Sequence, residues 1–394
     1  MSQQKESAGE SASQTAAANY VPAPQAASSD YLIGVHYFPG WKPGAHWGWP
    51  KILPFPERKP LLGWYNEANP EITDWEIKWA LEHGIQFFLY CWYRDGKKID
   101  QPMSDSTHRL GHAIHEGLFR ARYGDKMKFA IMWETGGAGA RDEKDLLENL
   151  LPYWMDTYFD RPNYLRIDGK PLLCIYSYFG FQKLVDPFGG AEGFRAALDK
   201  MRQIAAKRYG GLVLSFEYRN AASEAIDKIR AAGVDHMFAY CWHTKQKRPT
   251  IQEAIDRQMT ALETWRDKGG FPFLTTLGMG WDPTPWASDD PKSRLYKPNL
   301  TCWKLPPEDW RRLLEQGKQF MDSMPESSPA RRILLLDNWN EWGEGHYISP
   351  QVTDGFKYLQ AVREVFTHRD NLPDYRTATA LGLGPYDKIM EGQS

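Results

Sequence analysis

The chain reads as an α/β protein, a (β/α)8 barrel in a single domain with long loops on its carboxyl-end face. Three observations predict this. From Tyr31 onward, eight short apolar runs alternate with longer amphipathic segments. The runs are near-continuously apolar, as in strands covered on both faces. No G-x-G-x-x-G follows the first run, so the competing doubly wound dinucleotide-binding sheet lacks its fingerprint. A barrel typically needs ~250 residues. The surplus in these 394 residues lies in the N-terminal segment and in the stretches after the first and seventh runs.

Taken in order, residues 1–30 are rich in Ser, Ala and Gln and lack hydrophobic periodicity. They predict a disordered leader, because they offer too little apolar surface to offset ordering. The leader holds no basic and then apolar signal peptide. A polar linker of this kind often follows a removed export signal, which predicts a periplasmic or secreted protein, with the cytoplasm as the alternative. The single domain is then the barrel itself, 31–394. Its predicted strands are 31–38 (YLIGVHYF), 85–93 (IQFFLYCWY), 127–134 (MKFAIMWE), 171–178 (PLLCIYSY), 212–218 (LVLSFEY), 234–242 (VDHMFAYCW), 272–279 (PFLTTLGM) and 332–339 (RILLLDNW). Between them, PEITDWEIKWALEHG sets Ile72, Trp75, Trp79 and Leu81 near one helical face and stops at Gly84. Similar periods run through 142–159, 190–210, 251–269 and 307–324. The segment 353–366 closes the series, with Thr353 or Asp354 as its expected cap.

Composition narrows the function. With 42% hydrophobic and 25% charged residues, the chain can build a sizeable core. A net charge of −2 and only short basic stretches argue against nucleic acid. No apolar run approaches the ~20 residues of a membrane span. Four cysteines show no metal-ligand spacing, and three lie inside apolar runs where a thiol acts as a small hydrophobe. The 17 Trp, beside 20 Tyr and 18 Phe, leave flat rings for cleft rims, where they suit the apolar faces of sugars. A carbohydrate is therefore the expected partner.

In a barrel, strand carboxyl ends converge on one bowl. Here they supply His36, Tyr37, Trp92, Trp133, Glu134, Glu217, Tyr218, Trp242, Asp282, Asn340, Glu341 and Glu344. That bowl is aromatic and carboxylate-rich, which is the chemistry of glycoside hydrolysis. Only one of Glu217 and Tyr218 can point inward, and Tyr218 is the choice; His36 and Tyr37 carry the same ambiguity. Asp282, in a Pro-rich loop, suits a sugar hydroxyl, and a turn cap is its plainer role. The loop residues Trp41, Trp47, Trp49 and Trp286 are candidate stacking faces, and Trp342 sits between the last two glutamates. In NEWGEG, Gly343 and Gly345 permit a tight turn that lets Glu341 and Glu344 face one cavity. Two close carboxylates repel, raising one pKa to supply an acid and leaving the other ionised. The plainer reading is a pair of solvated glutamates capping the last helix. HRLGHAIHEG places His108 and His112 at i,i+4 on an expected helix, away from the strand ends and without a third ligand. No metal and no cofactor are expected.

These residues resemble the N-E-W-x-E-G signature of the glycoside hydrolase family 99-like proteins, barrel-fold endo-α-mannosidases and their relatives. HYFPGW, FAIMWE, GWDPTPW and GHYISPQVTDGFKYLQAV extend the resemblance across most of residues 31–367. It implies that Glu341 takes a proton from the sugar's own 2-hydroxyl, which attacks C1 to give a 1,2-anhydro sugar. Glu344 would protonate the leaving oxygen and then activate water, so configuration is retained. O2 must lie anti to the leaving group, which admits α-manno, α-rhamno, β-gluco and β-galacto linkages. A barrel glycosidase with a covalent intermediate, recruiting Glu134 or Glu217, is the mechanistic alternative. The resemblance favours Tyr37 over His36. Mannosidases of the family carry His where this chain has Gly343, so the sugar does not transfer. The broader group also includes proteins labelled as polysaccharide-biosynthesis glycosyltransferases. A glycosyltransferase-like or glycan-binding role is thus the alternative, although no phosphate loop or DxD is present.

Overall fold

The computed structural model describes residues 20–387 apart from 178–179, 220–222, 245, 289, 291 and 293–299. Eight parallel strands form its centre: β1 (Leu32–Tyr37), β2 (Phe87–Arg94), β3 (Lys128–Glu134), β4 (Lys170–Tyr176), β5 (Val213–Glu217), β6 (His236–Phe238), β7 (Thr275–Gly278) and β8 (Ile333–Asp337). β1 to β6 pair in chain order, and β8 lies between β1 and β7. The ring closes where Met237 N–H donates to Pro272 O at 3.0 Å and Leu274 N–H to Met237 O at 2.8 Å. Every predicted strand is present, and the fold is the expected (β/α)8 barrel.

The helices cover the strands as the sequence period requires. They include α1 (Pro70–Glu82), α2 (Ala191–Tyr209), α3 (Ser223–Ala231), α4 (Ile251–Thr264), α5 (Pro307–Ser323) and α6 (Lys357–Phe366). A further helical stretch with π-type turns runs through 143–159. α1 starts on Asn69, whose side chain accepts from Glu71 N–H, with Pro70 in the first turn where its missing donor costs nothing.

Four expectations need correction. α1 is not a one-faced helix: Ile72 to Glu82 are all buried. Residues 20–30, expected in a disordered leader, cover it. Tyr20 donates to Asp74 at 2.5 Å, and Ala27 N–H donates to Leu81 O at 2.9 Å. Val21 and Ala27 are buried, so even a polar segment orders when a few apolar side chains find a groove. Residues 1–19 of the expected leader lie outside the described residues. α6 begins at Lys357 without a side-chain cap; Thr353 donates to Glu57 O and Asp354 accepts from Gln351 instead. The histidine stretch is not one helix: His108 and Arg109 pair with the end of β2, and a π turn covers 113–117. His108 then meets His115 at 3.1 Å, while His112 meets Glu67 at 2.6 Å. Among the described residues no group of His, Cys, Asp and Glu is arranged to hold a metal, and no helix is long and apolar enough to cross a membrane.

Candidate active site

A cavity of about 560 Å³ opens at the carboxyl ends of the strands, and Glu341 and Glu344 both line it. β8 ends at Asp337, and the chain then folds back on itself, with Glu341 bridged to His346 in antiparallel fashion. Gly345 takes φ +70°, where an added Cβ would strike the Asp282 backbone at 2.8 Å. That close approach is used: Asp282 N–H donates to Glu344 O at 2.6 Å. Arg58 clamps both segments, with Nη1 donating to Trp342 O (2.8 Å) and Asp282 O (3.1 Å) and Nη2 to Asp282 Oδ2 (2.6 Å).

The two glutamates live in different surroundings. Glu341 is 3% exposed, and its Oε1 is buried without a hydrogen-bond partner. Burial, with Glu344 close by, holds its carboxyl well above the usual range. Glu344 is more open, its side chain 27% exposed, and its Oε2 lies 3.2 Å from His346 Nε2. His346 is fully buried, and Nδ1 lies 3.7 Å from Asp337 Oδ2. Burial works against charging this ring, but Asp337 and Glu344 outweigh it and raise its pKa to about 9. The imidazolium therefore sits between Asp337 and Glu344. Among the described residues neither Glu341 nor Glu344 pairs with a lysine or arginine. Of the two, Glu341 is the carboxyl that burial pushes upward, and it is the group to which the resemblance gives the base role.

Strand pleating decides which neighbours join them. Glu134 lines the cavity and accepts from the backbone N–H groups of Gly136 (2.6 Å) and Gly137 (3.1 Å). Tyr93 and Tyr176 are its register partners on β2 and β4 and line the same cavity. Successive strand residues face opposite ways, so Trp92 and Trp133 turn outward. Both pack on Trp154, and Trp92 Nε1 donates to Tyr158. Trp242 likewise packs on Trp265 and donates to Thr276 O. These three tryptophans belong to the barrel–helix interface rather than the cavity.

The other expected residues divide similarly. Trp286 lines the cavity, as does Trp47. Tyr37 turns toward α1 and donates to Glu76 at 2.9 Å, while His36 is buried against Leu336 O; neither lines the cavity. Tyr218 is half-buried and also outside it. Its neighbour Glu217 is buried, accepting from Tyr240 N–H (3.2 Å) and pairing with Arg219 (2.6 Å). Asp282 is the loop clamp just described: burial opposes its ionisation, but Thr284 and Arg58 prevail and hold its pKa down. Trp41, Asn340 and Trp342 form a buried floor, with Trp41 Nε1 donating to Asn340 O, Asn340 Oδ1 accepting from Phe38 N–H, and Trp342 packed on Tyr347. Trp49 is buried with them.

Sequence reasoning missed Phe38, His46, Cys91, Tyr93, Met132, Tyr176, Arg219, Tyr240, Cys241, His243 and Trp281, which all line the cavity. Alternation carried part of the signal. Once Glu134 is taken as inward, Met132 follows on the same strand and Tyr93 across the register. Arg219 and His243 left no such trace, since they lie beyond the ladders.

A family profile described as glycosyltransferase WbsX matches residues 56–362. The chain belongs to the WbsX family. A curated relative, the uncharacterized protein WxcX of Xanthomonas campestris pv. campestris strain B100, is 21% identical over 331 residues. The match takes 80% of this chain but 44% of the relative, so the WbsX-family chain spans under half of that protein's length. Among solved structures, a GH99 endo-α-mannosidase from Bacteroides thetaiotaomicron superimposes with a TM-score of 0.57 at 16% identity, covering 84% of this chain and 95% of that one. A glycoside hydrolase-like protein gives 0.59 at 17% identity, covering 87% and 96%. The GH99-like barrel anticipated from the motifs is thus the fold of this WbsX-family member.

Proposed function

We propose that the chain is a retaining glycoside hydrolase that cleaves a 1,2-trans linkage in an oligosaccharide or polysaccharide. One observation carries this reading: Glu341 and Glu344 face a single cavity, the first buried with its carboxyl pushed upward by that burial, the second beside a cationic histidine. In this reading sugar binding sets where the proton of the pair sits. The 2-hydroxyl gives Glu341 the hydrogen-bond donor that its Oε1 lacks, which favours the carboxylate. The glycosidic oxygen, an acceptor only, favours the protonated form of Glu344. Glu341 then takes the O2 proton, O2 attacks C1, and the C1–O bond breaks as Glu344 protonates the leaving oxygen. A 1,2-anhydro sugar results. Water next attacks C1 as the C1–O2 bond opens, its proton passing to Glu344 while O2 recovers one from Glu341. His346, 3.2 Å from Glu344, stabilises the carboxylate left after each proton donation.

The family description favours a second reading, transfer from an activated sugar. Incubating the protein with a panel of α-mannosides, α-rhamnosides, β-glucosides and β-galactosides, with and without nucleotide sugars, separates the two. Hydrolysis without nucleotide sugar, with retained configuration by NMR, is the expected result. Product formed only when a nucleotide sugar is supplied would falsify the hydrolase reading.

A further inference from the structure

Gly343 sits between the two glutamates, and its backbone is not in the left-handed region that favours glycine. The residue is small for another reason. A Cβ there would lie 1.8 Å from Cζ2 and 1.9 Å from Cε2 of Trp286. The indole occupies the space of the missing side chain. Trp286 also lies parallel to Trp41, with centroids 6.4 Å apart and planes at 12°. It meets His46 and Trp47 edge-on, each at 5.5 Å. Trp41 is in turn bonded to Asn340 O, one residue before Glu341. The wall is therefore built on the glutamate-bearing turn itself.

We infer that Gly343 is a specificity-determining position: its missing side chain seats Trp286 beside Glu341 and Glu344, and the wall of Phe38, Trp47 and Trp286 takes the C–H face of a neutral pyranose. This rests on the glycosidase reading only for what the pair does to the sugar once bound. Aromatic faces favour sugars with a broad run of C–H groups, and a 6-deoxy-pyranose extends that run with a methyl. Burial, and after it the charge of Arg109, push His46 down to a pKa of about 4, so the ring itself adds no charge to the wall. A uronate carboxylate placed against it would lose water without gaining a partner.

Saturation-transfer NMR on the full chain tests this with methyl α-rhamnopyranoside, methyl α-mannopyranoside and a methyl glucuronide as probes. Saturation should reach the ring C–H protons and the C6 methyl, strongest for the rhamnoside and weakest for the uronide. Gly343→Ala should weaken that signal at least fivefold, and Trp286→Ala should do the same. Because both act through one ring, Gly343→Ala added to Trp286→Ala should cost nothing more. If Gly343→Ala alone does not fold, that last comparison still decides, since removing the indole makes room for the methyl. Wild-type signal in Gly343→Ala, additive losses, preference for the uronide, or no binding by the wild type each overturns the proposal. Sugars that bind in this pattern yet are never cleaved would sink the hydrolase reading and leave this one standing.

Discussion

The cavity has two unlike walls. Phe38, His46, Trp47 and Trp286 come from the loops after β1 and β7, and they hold one another by ring contacts. Glu134, Tyr176, Arg219 and His243 come from the ends of β3 to β6 and their continuations, where charge and hydrogen bonds do the holding: Arg219 pairs with Glu217 and meets His243, and Glu134 accepts from Gly136 and Gly137. Loops can bring large rings over the catalytic turn because they are free of ladder register. Strand ends are fixed by pleat and register, which suits polar groups that must keep their direction. Under the proposed function, one wall shapes the sugar and the other sets its polar contacts; Glu341 and Glu344 line the same cavity.

The largest effect should come from the pair itself. Glu341→Gln and Glu344→Gln should each lower the rate on an unactivated glycan by on the order of 10³-fold, read as initial rates on the purified protein. Glu344→Gln should lose less on aryl glycosides, whose leaving groups need no proton. Glu341→Gln should also stabilise the fold. A buried carboxyl with a raised pKa costs stability increasingly as pH rises above its ordinary value of 4.5. The gain in melting temperature should therefore grow with pH, and a destabilised Gln variant at pH 8 would contradict the burial argument.

Next is the polar wall. Arg219→Met strands Glu217, which is 6% exposed, without its cation. The expected cost is about 3 kcal/mol, near the low end for breaking a buried pair because the guanidinium is partly exposed. Urea unfolding reads it, and adding Glu217→Gln should recover most of the loss. A cost below about 1 kcal/mol would mean that the wall is held by its backbone bonds instead.

His346 links the pair to Asp337, and its effect should depend on pH. Its folded pKa of about 9 exceeds the ordinary 6.5, so its contribution is complete below pH 6.5 and lost as pH rises through 9. Wild-type stability should decline across that window by at most about 1.4 kcal/mol per pH unit, and His346→Asn should flatten the decline. Equal slopes in the two proteins would remove the imidazolium from the account. Least affected should be Trp47→Ala at the exposed end of the aromatic wall, where the side chain is 38% exposed. A severalfold rise in KM is expected from loss of one stacking face; an unchanged KM would shorten the wall to Trp286 and Phe38.

What the sequence determined by itself was local. Apolar runs and helical periods located all eight strands and most of their covering helices, because period and capping are properties of neighbouring residues. The motif around Glu341 placed the pair, since β8 and a glycine-bearing turn fix it within a few positions. Tertiary structure decided the rest. Trp92 and Trp133 face the helices because pleat and register, not composition, choose a strand's inward side. Tyr93, Tyr176 and Arg219 joined the site through contacts between distant segments, and residues 20–30 ordered because α1 offered a groove. The same holds for electrostatics: Glu341 and Glu344 are chemically alike, and only the fold buries the first and sets a histidine held by Asp337 beside the second.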